Sequence, residues 1–127
     1  IMSKISKETR RTVYEKYDGK CAYCGCVINY LKFHVDHIEA KFRRTTQAQL
    51  KSWGSDRIKG KDHIENYNPS CISCNSSKST FTIETWRKEL ELKKERIKRD
   101  SATFNILLRF GVIAEIKKPI VFYFETF

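Results

Sequence analysis

The chain has 127 residues, 40% of them hydrophobic, which suits one domain with a modest core. Its 25 Lys and Arg residues outnumber its 15 Asp and Glu residues, and the formal net charge of +10 favours a polyanionic partner, nucleic acid first. No stretch approaches the roughly 18 consecutive apolar residues of a membrane span, and no apolar segment follows a basic start as in a signal peptide. We therefore expect a cytoplasmic protein without a membrane partner. Ile1, ahead of Met2, is expected to be an expression remnant, so the domain is taken as residues 2–127.

The first predicted element is a helix over residues 6–18. Ser6 is a favourable N-cap, and Gly19 can end the helix in a left-handed conformation. After a mixed segment, residues 33–38, FHVDHI, have the apolar composition of a strand.

A basic insert follows at residues 39–61. Between Lys41 and Lys61 it holds seven positive residues against one aspartate. The sequence TQAQLKSW within it predicts a short helix closed by Gly54. Residues 64–70, IENYNPS, then predict a second short strand.

Residues 82–127 are predicted to form C-terminal helices and a strand. The longest helical signal starts at Thr82, where apolar residues recur at helical spacing and indicate a core-facing stripe (Ile83, Trp86, Leu90 and Ile97). A shorter helix is expected over residues 103–110. The last segment, IVFYFE, is apolar on both faces and is expected to be either a buried strand or one paired with a partner.

The cysteines are spaced as metal ligands. CAYC and CISC form two C-x-x-C pairs, the knuckles typical of a tetrahedral thiolate zinc site (Cys21, Cys24, Cys71 and Cys74). A disulfide framework is not expected in a cytoplasmic protein. Cys26 lies too close to Cys24 to complete the same tetrahedron, so it is expected to be a free, packed thiol.

An Asp-His pair, Asp36 and His37, interrupts the first strand-like segment. The simpler interpretation is a strand edge with two solvated polar residues. The alternative is a catalytic pair, which adjacent side chains on opposite faces of a regular strand can form only if the strand ends or bends there. We therefore expect extended geometry to break near His37.

The ordered motifs CAYCG, VDHI and ENYNPSCISCNSSKS resemble the zinc-bearing HNH endonucleases, also called His-Me finger or ββα-metal nucleases. The resemblance covers residues 21–79. It implies an α+β fold in which a ββα-metal core with a two-knuckle, four-cysteine zinc site is flanked by N- and C-terminal helices.

The resemblance also implies the chemistry. His37 would be the general base that activates water, and Asp36 and Asn75 would hold one catalytic cation, Mg²⁺ or Mn²⁺, against a DNA phosphodiester. Asn66 would bond backbone across the hairpin and help set the histidine. Zn²⁺ would be purely structural.

Further expectations concern binding. Basic residues are predicted to contact nucleic acid (Arg43, Arg44, Lys51 and Lys78). His34 shares a strand face with Asp36 and is a supporting partner, an added ligand or simply an exposed or packed side chain. DNA is the expected substrate, with RNA left open, and a monomer is favoured over a homodimer. The rival functions are a non-catalytic zinc-stabilised nucleic-acid-binding module and a protein-interaction module using the C-terminal strand.

Overall fold

The computed structural model describes residues 5–42 and 44–127. In chain order the elements are α1 (Lys7–Glu15), β1 (His34–His37), α2 (Gln47–Ser52), β2 (Tyr67–Ser70), α3 (Ile72–Lys78), α4 (Ile83–Asp100) and α5 (Ala102–Arg109), with 3₁₀ turns at Ile64–Asn66 and Tyr123–Thr126. Within the described residues, no helix is both long and apolar enough to cross a lipid bilayer.

The centre of the fold is the β1–β2–α3 unit. The two strands pair antiparallel, in a register that sets Asp36 opposite Asn68 and His37 opposite Tyr67. Helix α3 follows β2 after a single residue, Cys71, whose sulfur accepts the N–H of Cys74 as an N-cap. The predicted α+β, ββα architecture is confirmed, although the second strand is shorter than predicted because residues 64–66 form a 3₁₀ turn.

The N-terminal helix packs against β2 and is also shorter than predicted. Ser6 caps α1 by accepting the N–H of Thr9, as expected. The helix ends at Glu15, because Asp18 and Gly19 take left-handed conformations with φ of 53° and 74°. A short turn therefore leads from α1 into the first cysteine pair.

The predicted strand in the last segment is wrong. Residues 120–122 belong to no regular element, and the 3₁₀ turn follows them. The N–H of Tyr123 donates to the carbonyl of Tyr23 (3.0 Å), and the N–H of Phe124 donates to that of Ala22 (2.7 Å). The segment thus docks on the backbone of the first C-x-x-C pair.

An aromatic cluster joins this segment to α4 and to the knuckle. The Phe122 ring stacks on Trp86 with centroids 4.7 Å apart, and Tyr23 meets Trp86 edge-on at 5.1 Å. Trp86 is buried, whereas Ile97 of the predicted stripe is 44% exposed, so the core-facing stripe fades toward the end of α4.

Candidate active site and metal centre

Four cysteine sulfurs converge beneath the β1–β2 hairpin and lie within 4.8 Å of one another (Cys21, Cys24, Cys71 and Cys74). The sulfurs of Cys24 and Cys71 are 3.9 Å apart. Tetrahedral coordination with Zn–S bonds of about 2.3 Å places sulfurs about 3.8 Å from one another. The cluster therefore fits one zinc ion.

Backbone N–H groups point at these sulfurs. The N–H of Tyr23 donates to the sulfur of Cys21 at 3.4 Å, and that of Cys74 donates to Cys71 at 3.3 Å. A hydrogen bond from the Cys74 thiol lowers the pKa of Cys21 to about 4, which favours the thiolate that binds metal. Gly25, with φ of 77°, makes the tight turn after the first pair.

Cys26 is not one of the four sulfurs, as expected from its spacing. The expectation that it is packed is wrong, because its side chain is exposed. Its carbonyl accepts the N–H of Cys21 at 2.8 Å, so its backbone supports the knuckle.

Asp36 points toward α3 and is only 6% exposed. Its Oδ2 accepts a very short hydrogen bond from the Tyr23 hydroxyl and lies 3.2 Å from the Nζ of Lys78. Burial raises the pKa of Asp36, and the charge of Lys78 opposes that shift. Burial and the neighbouring carboxylate raise the pKa of Tyr23, so its hydroxyl stays a donor.

Lys78 does not lie where a phosphate could reach it. Its side chain is fully buried, and Nζ donates to the carbonyl of His37 at 3.0 Å as well as pairing with Asp36. The predicted nucleic-acid contact is therefore wrong. A lysine buried this deeply needs a partner for its charge, and that partner is Asp36.

Asn75 and His34 form a further contact between α3 and β1. The Asn75 amide nitrogen is 2.8 Å from His34 Nδ1. His34 is exposed, which is one of the alternatives left open for it, and a supporting role through its contact with Asn75 stays a prediction. Since Asn75 meets His34 and Lys78 meets Asp36, both proposed cation ligands lie on the α3 side of β1.

His37 is the last residue of β1, so extended geometry breaks where expected. Its Nε2 lies 2.8 Å from Oδ1 of Asp62, and its ring meets the Tyr67 ring edge-on at 5.2 Å. Oδ2 of Asp62 also forms a very short ion pair with Lys41. The His37 contacts therefore face the loop before β2, whereas the Asp36 contacts face α3.

Asn66 fastens the chain that leaves β1. Its amide nitrogen donates to the carbonyls of Glu39 and Lys61 at 3.0 Å each, and its Oδ1 accepts the N–H of Glu39 at 2.9 Å. Gly60 lies so close that a β-carbon there would fall 1.7 Å from the Glu39 carbonyl oxygen. These bonds hold the segment just beyond His37.

Two of the residues in the basic insert that were predicted to contact nucleic acid have exposed side chains. Arg44 and Lys51 are exposed, and Arg43 lies outside the described residues. Arg57 is structural instead, because its Nε donates to the Thr80 carbonyl at 3.0 Å.

Three residues at the site were missed from the sequence: Tyr23, Lys41 and Asp62. The one available signal was the aromatic residue inside CAYC, beside the predicted metal ligands. No sequence signal pointed to Asp62, because 24 residues separate it from His37, which it contacts.

The hairpin, the helix after it and the cysteine cluster together define the ββα-metal class of fold with a two-knuckle, four-cysteine site. No family model matches the chain. Over 72 residues it is 35% identical to a protein of Bacillus subtilis (strain 168) named "SPbeta prophage-derived putative HNH endonuclease YoqL". The match covers 55% of this chain and 27% of the relative.

Among solved structures, the chain resembles part of the Type II-C Cas9 enzyme from Actinomyces naeslundii, with a TM-score of 0.51 and 23% identity. That match covers 71% of this chain and 9% of the Cas9 chain, and it supports the fold alone. The resemblance to HNH endonucleases is confirmed by the named relative. The chain spans about a quarter of that relative's length.

Proposed function

We propose that the protein is an HNH-type endonuclease that hydrolyses phosphodiester bonds in DNA. The observation that carries this proposal is the position of His37 at the end of β1, beside the buried Asp36 and on a hairpin whose helix supplies Asn75. A solvated strand edge does not explain why Asp36 is buried. A solvated edge also does not explain why the Asn66 side chain makes three hydrogen bonds that hold the segment after His37.

The residues present fit a hard divalent cation, Mg²⁺ or Mn²⁺. Such ions take oxygen ligands, and the Asp36 carboxylate and the Asn75 amide supply them on one side of β1. Tyr23 and Lys78 both contact Oδ2 of Asp36, so Oδ1 is the oxygen for the cation. When bound, the ion would act as a Lewis acid on the scissile phosphate.

The chain's own groups perform the remaining tasks. A neutral imidazole at His37 accepts a proton from the attacking water. Asn66 keeps the segment after His37 in place. The exposed Arg44 and Lys51, in a chain of net charge +10, attract the phosphate backbone. One such site cuts one strand, so nicks are the expected product.

Nicking of supercoiled plasmid tests the proposal, with the zinc-loaded protein and a panel of divalent cations. We expect cleavage that needs Mg²⁺ or Mn²⁺ and falls by about 10² to 10⁴-fold in His37→Ala, the usual contribution of a general base. DNA affinity and zinc content should be unchanged in that variant. Cleavage by His37→Ala at the parent rate would contradict the proposal, and DNA binding without any cleavage would favour a non-catalytic binding module.

A further inference from the structure

Among the described residues, the Asp62 carboxylate contacts at least the side chains of His37 and Lys41. Oδ1 is 2.8 Å from His37 Nε2, and Oδ2 is paired with Lys41. Burial and the nearby Asp62 carboxylate raise the pKa of Tyr67. Tyr67 also lies directly opposite His37 in the hairpin and packs its ring against the imidazole. The imidazole is thus held at Nε2 by Asp62 and packs edge-on with the ring of Tyr67.

This arrangement specifies the tautomer of the neutral imidazole. An ionised carboxylate can only accept hydrogen bonds, and the Lys41 ammonium beside Asp62 favours the ionised form. His37 therefore carries its proton on Nε2, where it donates to Asp62. The lone pair lies on Nδ1, and the hydrogen bond recorded for the ring among the described residues is the one at Nε2.

We propose that Asp62 is the positioning residue of the general base, and that Nδ1 is the atom of His37 that takes the proton. This inference rests on the proposed function and deepens it. The water proton moves to Nδ1 while the water oxygen bonds to phosphorus. The bond from phosphorus to O3′ breaks, and O3′ leaves with its electron pair and takes a proton from solvent.

The first test is Asp62→Asn, assayed for steady-state cleavage of an oligonucleotide duplex. The new amide can donate to Nε2, which favours the tautomer protonated on Nδ1 and removes the lone pair from the reacting position. We expect kcat to fall by about 10² to 10⁴-fold with KM little changed, as for a general base in the wrong tautomer. Asp62→Glu, which keeps a carboxylate acceptor, should recover part of the loss.

Glu65→Gln is the matched control. It removes one negative charge from the same loop, and the recorded ion-pair partner of the largely exposed Glu65 is His63, not His37. It should cut like the parent. An equal fall in kcat in Glu65→Gln and Asp62→Asn would show that the effect comes only from the negative charge of the loop, which would contradict the inference. A parental kcat in Asp62→Asn would also overturn it.

A second measurement does not depend on cleavage. The ¹⁵N shifts and long-range couplings of the His37 ring report its tautomer in the zinc-loaded protein. We expect the Nε2-protonated form in the parent and in Glu65→Gln, and a shift toward the Nδ1-protonated form in Asp62→Asn. An Nδ1-protonated parent would overturn the inference even if the protein cuts DNA. If the tautomers are as expected but the protein never cuts DNA, Asp62 remains the partner of His37 and the proposed function is refuted instead.

Discussion

Asn75 and His37 have different tasks in the proposed reaction, and their removal should have different consequences. Asn75→Ala deletes an oxygen ligand of the cation, so cleavage should fall and then partly recover at raised Mg²⁺ or Mn²⁺. His37→Ala deletes a proton acceptor, which extra metal cannot replace. Nicking across a metal titration distinguishes the two. If both variants respond to metal in the same way, the assignment of Asn75 as a cation ligand is wrong.

Lys78 supplies the positive charge that pairs with the buried Asp36 carboxylate. Lys78→Met removes the charge that opposes the burial-driven rise in the pKa of Asp36, and it leaves that carboxylate unpaired. We expect a loss of about 3–5 kcal/mol in the free energy of unfolding, measured by urea denaturation of the zinc-loaded protein.

The double variant Asp36→Asn/Lys78→Met is the informative comparison, because it removes both charges. It should recover much of the stability lost in the single variant, while remaining inactive. Losses that simply add in the double variant would show that Asp36 and Lys78 are not coupled.

The resemblance to HNH endonucleases was enough to predict Asp36, His37, Asn66 and Asn75 on one hairpin and helix. In that motif the two asparagines stand five residues before the second cysteine pair and directly after it. The same reasoning placed Lys78 on the surface, where lysines normally lie. Only the tertiary packing of α3 on β1 shows that the Lys78 side chain points inward to Asp36. Such a pairing of distant residues leaves no mark in local sequence.

The C-terminal segment supports the site through an aromatic contact. Phe122 is 2% exposed, stacks on Trp86 and meets Tyr23, the residue that donates to Asp36. Phe122→Ala should cost about 3–5 kcal/mol of stability because it opens a cavity beside these rings.

Val121→Ala is the control, since the adjacent Val121 is 53% exposed. It should change stability little. Thermal or urea unfolding of both zinc-loaded variants measures the difference. Similar small losses in the two would mean that the segment does not pack on the core in solution.

The helices were predicted better than this segment. Capping residues and helical periodicity located α4 and α5 to within a residue or two. IVFYFE was predicted to be a strand because its composition suits one. Its backbone instead bonds residues 22 and 23 of the knuckle, and its Phe122 ring fills the space beside Trp86. Composition alone cannot distinguish a strand from an apolar segment whose side chains are fixed by such a docking site.

In the molecule as a whole, the cysteine cluster joins the parts that the proposed chemistry needs. One cysteine pair follows α1, and the other consists of Cys71, which caps α3, and Cys74 within that helix. Asn75 comes directly after Cys74, and the C-terminal segment rests on the first pair, where a β-carbon on Gly25 would come within 3.1 Å of the Tyr123 ring. A zinc ion there would fix α3, the hairpin and the C-terminal segment relative to one another.

Removal of zinc should therefore abolish the fold and the activity together. In small metal-bound domains, metal binding supplies much of the folding free energy. We expect a strong chelator to eliminate the cooperative thermal transition and plasmid nicking. Added Zn²⁺ should restore both, whereas added Mg²⁺ should restore neither, because thiolates are poor ligands for Mg²⁺.

Two cysteine variants test whether the loss of fold on zinc removal arises at the four-sulfur cluster. Cys74→Ser should lose zinc, measured by elemental analysis, and lose the cooperative transition with it. Cys26→Ser should keep one zinc per chain and unfold like the parent, because its exposed thiol lies outside the four-sulfur cluster. A chelated protein that still unfolds cooperatively would show that the hydrophobic core is sufficient without metal. Zinc loss from Cys26→Ser would instead place Cys26 among the ligands, and the cluster would have to be assigned again.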